Sequence, residues 1–149
     1  MTKIELDGTD LAILDILQAD AGISNQALAE RVFLSPSPCL RRVRRLEELG
    51  VIRGYHAEVD YSALGIGLRA ITELHLGRDT DPLVFEAELA RTREVQSAMH
   101  VTGALDYVLL LACPDVATLD RLLSRWKAES GVEQSTTRIL LRDVDLTRG

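Results

Sequence analysis

Five arginines, Arg41, Arg42, Arg44, Arg45 and Arg53, fall within 13 positions of this 149-residue chain. Guanidinium groups at that density suit phosphate and base-edge recognition. The same window holds only two acids, Glu47 and Glu48, although the whole chain carries a formal net charge of −6. The overall balance argues against a nucleic-acid partner, because phosphate binding is dominated by Lys and Arg. The local distribution instead describes a basic patch on an acidic body. Ahead of the patch stands Ser35-Pro36-Ser37-Pro38, a helix start, since proline is tolerated where backbone N–H groups have no intrahelical acceptor. The first turn of a helix offers free N–H groups and the positive end of its dipole to a phosphate, and Ser35 and Ser37 add hydroxyls. Which of these two serines caps the helix stays open. With Ser35 as cap, Pro38 at the third helical position cannot donate to it, and its hydroxyl is left the N–H of Ser37.

The remaining reactive residue types form no second constellation. Cys39 and Cys113 are far apart without a CxxC pattern, so reduced, packed thiols are expected rather than a disulfide or zinc site. His56, His75 and His100 fall on different expected strands and read as edge or surface residues. No nucleophile and base stand at motif spacing and no glycine-rich phosphate loop is present, so no enzyme, metal or cofactor is expected. With 46% hydrophobic and 27% charged residues, no stretch approaching roughly 18 apolar residues and no leader pattern, the chain is expected in the cytoplasm, without a membrane partner.

The elements that position the arginines follow from periodicity. Asp7 caps a helix over about 9–19 that carries Leu11, Ile13, Leu14 and Leu17, and Ala21-Gly22 ends it. Ser24 caps a second, two-turn helix with Ala27, Leu28 and Val32, which breaks at Phe33-Leu34. In the third helix Leu40, Val43, Leu46 and Leu49 recur every three residues and Gly50 stops it. With Leu40, Val43 and Leu46 inward, Ser37, Pro38, Arg41 and Arg45 face outward, with Arg42 and Arg44 on the flanks. Two short helices and a longer third have the spacing of a helix-turn-helix, whose second member enters the major groove by its N-terminal end. The competing reading is a solvated face with pairs such as Arg44–Glu48. Residues 51–59 alternate like a strand leading out of the domain, and Arg53 is placed as a flanking phosphate contact.

Beyond Leu64 the pattern changes to a strand over 66–76 with Leu68, Ala70, Leu74 and Leu76 on one face, then a helix opened by Pro82 with Phe85 and Leu89. Alternation at Val95, Met99 and Val101 gives a second strand, and Gly103–Asp106 a turn. Residues 107–113 are a third strand, apolar on both faces. A helix from Pro114-Asp115 follows, with Val116, Leu119, Leu122, Leu123 and Trp126 on one stripe, then a strand over 132–144. The expected fold is therefore α+β: an N-terminal winged helix-turn-helix over 1–54, a hinge strand over 55–64, and a ferredoxin-like βαββαβ domain over 65–149. Two helices cover one face of such a sheet, so the other calls for a second copy in an isologous dimer.

The chain resembles the Lrp/AsnC, or feast/famine, transcription regulators over essentially its whole length. The resemblance rests on Leu6-Asp7 with Asp10 and Ile13-Leu14, on Ser35-Pro36-Ser37-Pro38 through Arg42-Val43-Arg44-Arg45-Leu46-Glu47 to Gly50-Val51-Ile52, on Val101-Thr102-Gly103 with Asp106-Tyr107, and on Gly131-Val132 with Ser135 and Thr137. It departs at Cys39, where the family more often has an aliphatic residue. The resemblance implies a sequence-specific regulator of double-stranded DNA with a RAM-type regulatory domain, an amino acid or related small metabolite as effector, and homodimers assembling commonly into an octamer. It places the effector between dimers, against Thr102, Gly103, Ala104, Leu105, Asp106 and Tyr107, with Gln134, Ser135, Thr136 and Thr137 across from them. Asp106 would accept from an ammonium, while turn N–H groups and hydroxyls would donate to a carboxylate; alternatively Gly103 and Asp106 only build a turn. An enzyme alternative also exists, since the sirohaem decarboxylases resemble the same two-domain plan. A decarboxylase has no use for the arginine-rich helix.

Overall fold

The computed structural model describes residues 3–144 and 146, and the chain divides into two compact units, Met1–Val59 and Asp60–Gly149. The first unit holds α1 (Gly8–Ala19), α2 (Asn25–Arg31) and α3 (Pro36–Glu48). Asp7 caps α1 by accepting from the Asp10 N–H at 2.8 Å while the Asp10 carboxylate takes the Asp7 N–H at 3.2 Å, a reciprocal capping box. Ser24 caps α2 through the Ala27 N–H. In the α2–α3 turn Leu34 N–H donates to Ala29 O at 2.9 Å, and Phe33 takes a left-handed φ of 59° with its ring 95% exposed. Ser35 is the cap residue of α3, but its hydroxyl makes no capping bond. Gly50, at φ 70°, closes α3 by donating to Glu47 O, with Val51 N–H reaching back to Leu46 O, both at 2.9 Å; this is a Schellman stop.

The core of this unit joins Ile13, Leu28, Ala29, Val32, Cys39 and Leu46. Its α3 face is turned from the expected one. Cys39 and Leu46 are fully buried with Val43 packed beside them, whereas Leu40 is 36% and Leu49 42% exposed. At 100° per residue this rotates the inward face by roughly 35° and brings Arg42 to its border. The strand expected over 51–59 and the hinge strand over 55–64 do not form. Residues 53–60 pair with nothing, and Tyr61–Leu64 is a single 3₁₀ turn. A strand is defined by its partner, and none of the described residues of the chain offers one.

The second unit runs β1 (Leu68–Leu76), α4 (Pro82–Arg91), β2 (Val95–His100), β3 (Tyr107–Cys113), α5 (Val116–Glu129) and β4 (Val132–Ile139). The antiparallel sheet has the order β2-β3-β1-β4, the ferredoxin-like βαββαβ arrangement. Alternation along β1 sends Ala70, Thr72, Leu74 and Leu76 into the core, where Phe85 and Leu89 of α4 and Leu119, Leu122 and Trp126 of α5 cover them. Val116 departs from the expected stripe, at 63% exposed, because it sits at the first position of α5. The opposite face, with Ile71, Val108, Leu110 and Met99, has no layer over it among the described residues. Val101 lies outside β2, and residues 140–144 lie outside β4.

Candidate nucleic-acid interface and effector turn

The N-terminal half of α3 presents Ser35, Pro36, Ser37 and Arg41 to solvent, with Pro38 half-buried. Pro36 and Pro38 occupy the first and third helical positions and donate nothing, so of the first three N–H groups only that of Ser37 remains. The start of α3 is held from outside: Asn25 Nδ2 donates to Pro36 O at 2.9 Å, tying the first residue of α2 to the first of α3. Among the described residues Arg41, Arg44 and Arg53 make no ion pair, and the Arg44–Glu48 pair does not form. Arg41 and Ser37 project from the same side as Arg44, away from the Cys39–Leu46 seam.

Arg42 and Arg45, both expected as DNA contacts, also reach carboxylate or carbonyl oxygens at the start of α1 and before it. Arg42 Nη1 lies 2.7 Å from Asp7 Oδ2 and 2.9 Å from Asp10 Oδ1. Arg45 Nη1 is 3.5 Å from Asp10 Oδ2 and its Nη2 donates to Glu5 O at 3.1 Å. These bonds cross from α3 to the first turn of α1 and the arm before it, and together with Lys3 and Arg41 they line a groove of about 970 Å³. The α1 cap bond from Asp10 N–H and then the Arg42 guanidinium hold the Asp7 carboxyl below its ordinary value, and the two carboxylates hold Arg42 above its own. With the seam at Cys39 and Leu46, Arg42 points along the flank toward α1.

In the second unit, the turn before β3 is fastened by its own backbone. Val101 N–H donates to Asp106 O at 2.8 Å and Asp106 N–H to Leu74 O at 2.9 Å, while Asp106 Oδ2 accepts from Leu76 N–H at 2.8 Å and lies 2.8 Å from His75 Nδ1. Gly103, at φ 121°, takes a backbone conformation in which a side chain is strained. Thr102, Gly103 and Ala104 are exposed, and Leu105 and Asp106 half-buried. Tyr107 is in the core, with its hydroxyl 2.7 Å from Glu86 Oε1 and its ring stacked on His100. Burial, then that hydrogen bond, pushes the Tyr107 phenol up to about 12. Register separates the β4 residues: Ser135 and Thr137 pair with Leu74 and Thr72 on the helix-covered face, Gln134 and Thr136 with His75 and Glu73 on the other.

Comparison with known proteins supplies the context for both units. A family model described as winged helix-turn-helix DNA-binding matches residues 6–53, and one described as the Lrp/AsnC ligand binding domain matches residues 69–149. A leucine-responsive regulatory protein of Rhizobium meliloti is 40% identical over 147 residues, covering 97% of this chain and 94% of its own. The chain belongs to the Lrp/AsnC family. A Neisseria meningitidis transcriptional regulator, solved as its L-Met complex, superposes with a TM-score of 0.87 at 32% identity, covering 95% of this chain and 93% of its own. The Mycobacterium tuberculosis leucine response regulatory protein gives 0.80 at 32% identity over 97% and 98%.

As an Lrp/AsnC regulator the chain carries a DNA-binding head and a ligand-binding domain. Nothing in these matches favours the decarboxylase reading. Of the ten residues placed at the effector, the single subunit brings Asp106 beside His75, which is paired with Gln134. It holds Tyr107 and Thr137 through internal partners, Glu86 and Thr72. Sequence reasoning missed Asn25, the Asp10–Arg42 pair and the buried Thr72. Only the second carried a visible signal, the D-x-x-D spacing of a capping box ahead of an apolar run. Among the described residues no group of three or more His, Cys, Asp or Glu could hold a metal, and no helix is long and apolar enough to cross a membrane.

Proposed function

We propose that the chain is a cytoplasmic, homo-oligomeric regulator whose α3 enters the major groove of double-stranded DNA, with Arg41 and Ser37 toward base edges and phosphates. Ser35, Pro38 and Arg53 flank that contact. The observation that carries this reading is the exposed Arg41 guanidinium, without an internal ion pair among the described residues, one turn from a helix start whose Ser35 hydroxyl makes no capping bond. Groups so placed are free to bind an external anion. The uncovered sheet face, with Ile71, Val108, Leu110 and Met99, supports an isologous dimer, and two heads in such a dimer read a near-palindrome. Dimers assemble further, to an octamer, around the effector.

The effector is an amino acid or related small metabolite, as the L-Met complex of the Neisseria relative suggests. It meets the exposed Thr102–Ala104 backbone and the free oxygen of Asp106, with Gln134 and Thr136 on the same side of the sheet as His75. Regulation then follows from tighter effector binding to one arrangement of the heads. Polarisation with a duplex from the region upstream of its own gene, over a salt series, tests the DNA reading: affinity falls steeply with salt, and affinity unchanged at high salt contradicts it. A thermal-shift screen of the twenty amino acids tests the effector, because a ligand of the folded state raises the midpoint by mass action; no shift with any of them contradicts an amino-acid effector.

A further inference from the structure

We infer that Arg42 is a positioning residue, which sets α3 against α1 so that its neighbours can reach DNA, and does not itself contact DNA. This rests on the reading of α3 as the DNA-entering helix. The Asp10 side chain is only 3% exposed, and both its oxygens are engaged: Oδ1 by Arg42, Oδ2 by the Asp7 N–H and by Arg45. Asp7 is bound in the same way, Oδ1 by the Asp10 N–H and Oδ2 by Arg42. One guanidinium nitrogen therefore bridges two carboxylates on the first turn of α1. Turning Arg42 toward a phosphate would leave Asp10 as a charge shut away from water without its main cation, a costly state. The approach is also opposed electrostatically, since a phosphate near Arg42 would meet Asp7, whose side chain is 54% exposed. Arg41, one residue earlier, has no such ties. Arginines adjacent in sequence thus divide the work, one binding inward and one outward.

The decisive test is the sign of a change made at the acid. Asp10→Asn and Asp7→Asn are made in the full-length protein. Binding to the upstream duplex is measured at several salt concentrations, well below the melting midpoint of each variant, so that every chain counted is folded. With Arg42 as a positioning residue, both variants bind more weakly, Asp10→Asn by roughly tenfold, the equivalent of about 1.4 kcal/mol. The slope of log Kd against log salt stays that of the wild type. If Arg42 instead contacts phosphate, removing a competing acid frees it: binding tightens and the slope steepens by about 0.9 for each added contact. That outcome overturns the inference. So does unchanged affinity in the folded variants, which would leave Arg42 holding the unit together without setting α3. Asp7→Asn keeps the Asp10–Arg42 pair and serves if Asp10→Asn does not fold. The α3 reading is judged separately by Arg41→Gln, which lowers the slope if that reading holds and leaves binding untouched if it fails.

Discussion

Thr137 faces two interpretations, effector contact or partner of the core, and the Thr72–Thr137 pair allows them to be told apart. Thr72 is fully buried and its hydroxyl meets that of Thr137 at 2.9 Å, while Thr137 is half-buried on the edge strand β4. Thr137→Val keeps the volume but removes the one partner, among the described residues, of a hydroxyl that water does not reach, which costs about 1–3 kcal/mol. The reverse change, Thr72→Val, leaves a Thr137 hydroxyl that can turn to solvent and costs less than about 1 kcal/mol. The double variant removes both polar groups and is nearly neutral. For a unit of this size about 4–8 °C accompanies each kcal/mol, so Thr137→Val melts roughly 10 °C lower and the double variant recovers most of it. Thermal unfolding at fixed protein concentration, without effector, reads all three. Equal costs for the single variants, or strict additivity in the double, would refute the reasoning.

Phe33→Gly raises the melting midpoint of the first unit by a few degrees, because relieving a left-handed backbone worth about 1–2 kcal/mol outweighs the entropy of glycine at about 0.5–1 kcal/mol, and the ring is exposed; calorimetry showing a lower midpoint contradicts this. Gly131→Ala does the reverse in the second unit: at φ 75° its Cβ would lie 1.9 Å from Thr80 Oγ1, and the shift would also break the Thr80 hydroxyl bond to Gly131 O, so a denaturant midpoint equal to the wild type would be the contrary result. The Asp7 carboxyl, held below its ordinary 3.8 by the Asp10 N–H and Arg42, stabilises the folded state above that value, and the contribution is lost as pH falls through the lower folded value. Acid unfolding of Asp7→Asn should therefore show a shallower dependence below about pH 4 than the wild type, and an identical profile argues against the pair.

Local signals in the sequence are legible where the chemistry is local. Asp7, Ser24 and Gly50 mark helix ends through bonds within a turn or two, and alternation in 68–76 directs Ala70, Leu74 and Leu76 inward. The rotation of α3 is not visible in the apolarity of Leu40, Val43, Leu46 and Leu49 alone. A strict three-residue spacing drifts about 60° per step around a helix, so the four cannot share one face, and the small thiol of Cys39 belonged to the seam. With the seam shifted, Arg42 on the flank reaches Asp7 and Asp10 of α1, whereas Arg45 stays exposed on the outer side with a longer contact to Asp10. The strand expected over 51–59 failed for another reason: its residues alternate correctly, but pairing needs a second edge. The effector cluster is in part of the same kind, since Gln134 and Ser135 diverge across the sheet by alternation alone.

The account depends most on Arg41 meeting DNA from the exposed side of α3. Its direct measurement is the salt dependence of duplex binding for wild type and Arg41→Ala. The predicted result is a slope of log Kd against log salt reduced by roughly one unit for each subunit bound, with the melting midpoint unchanged because the side chain has no internal ion pair among the described residues. A variant that keeps the wild-type slope and affinity would contradict it.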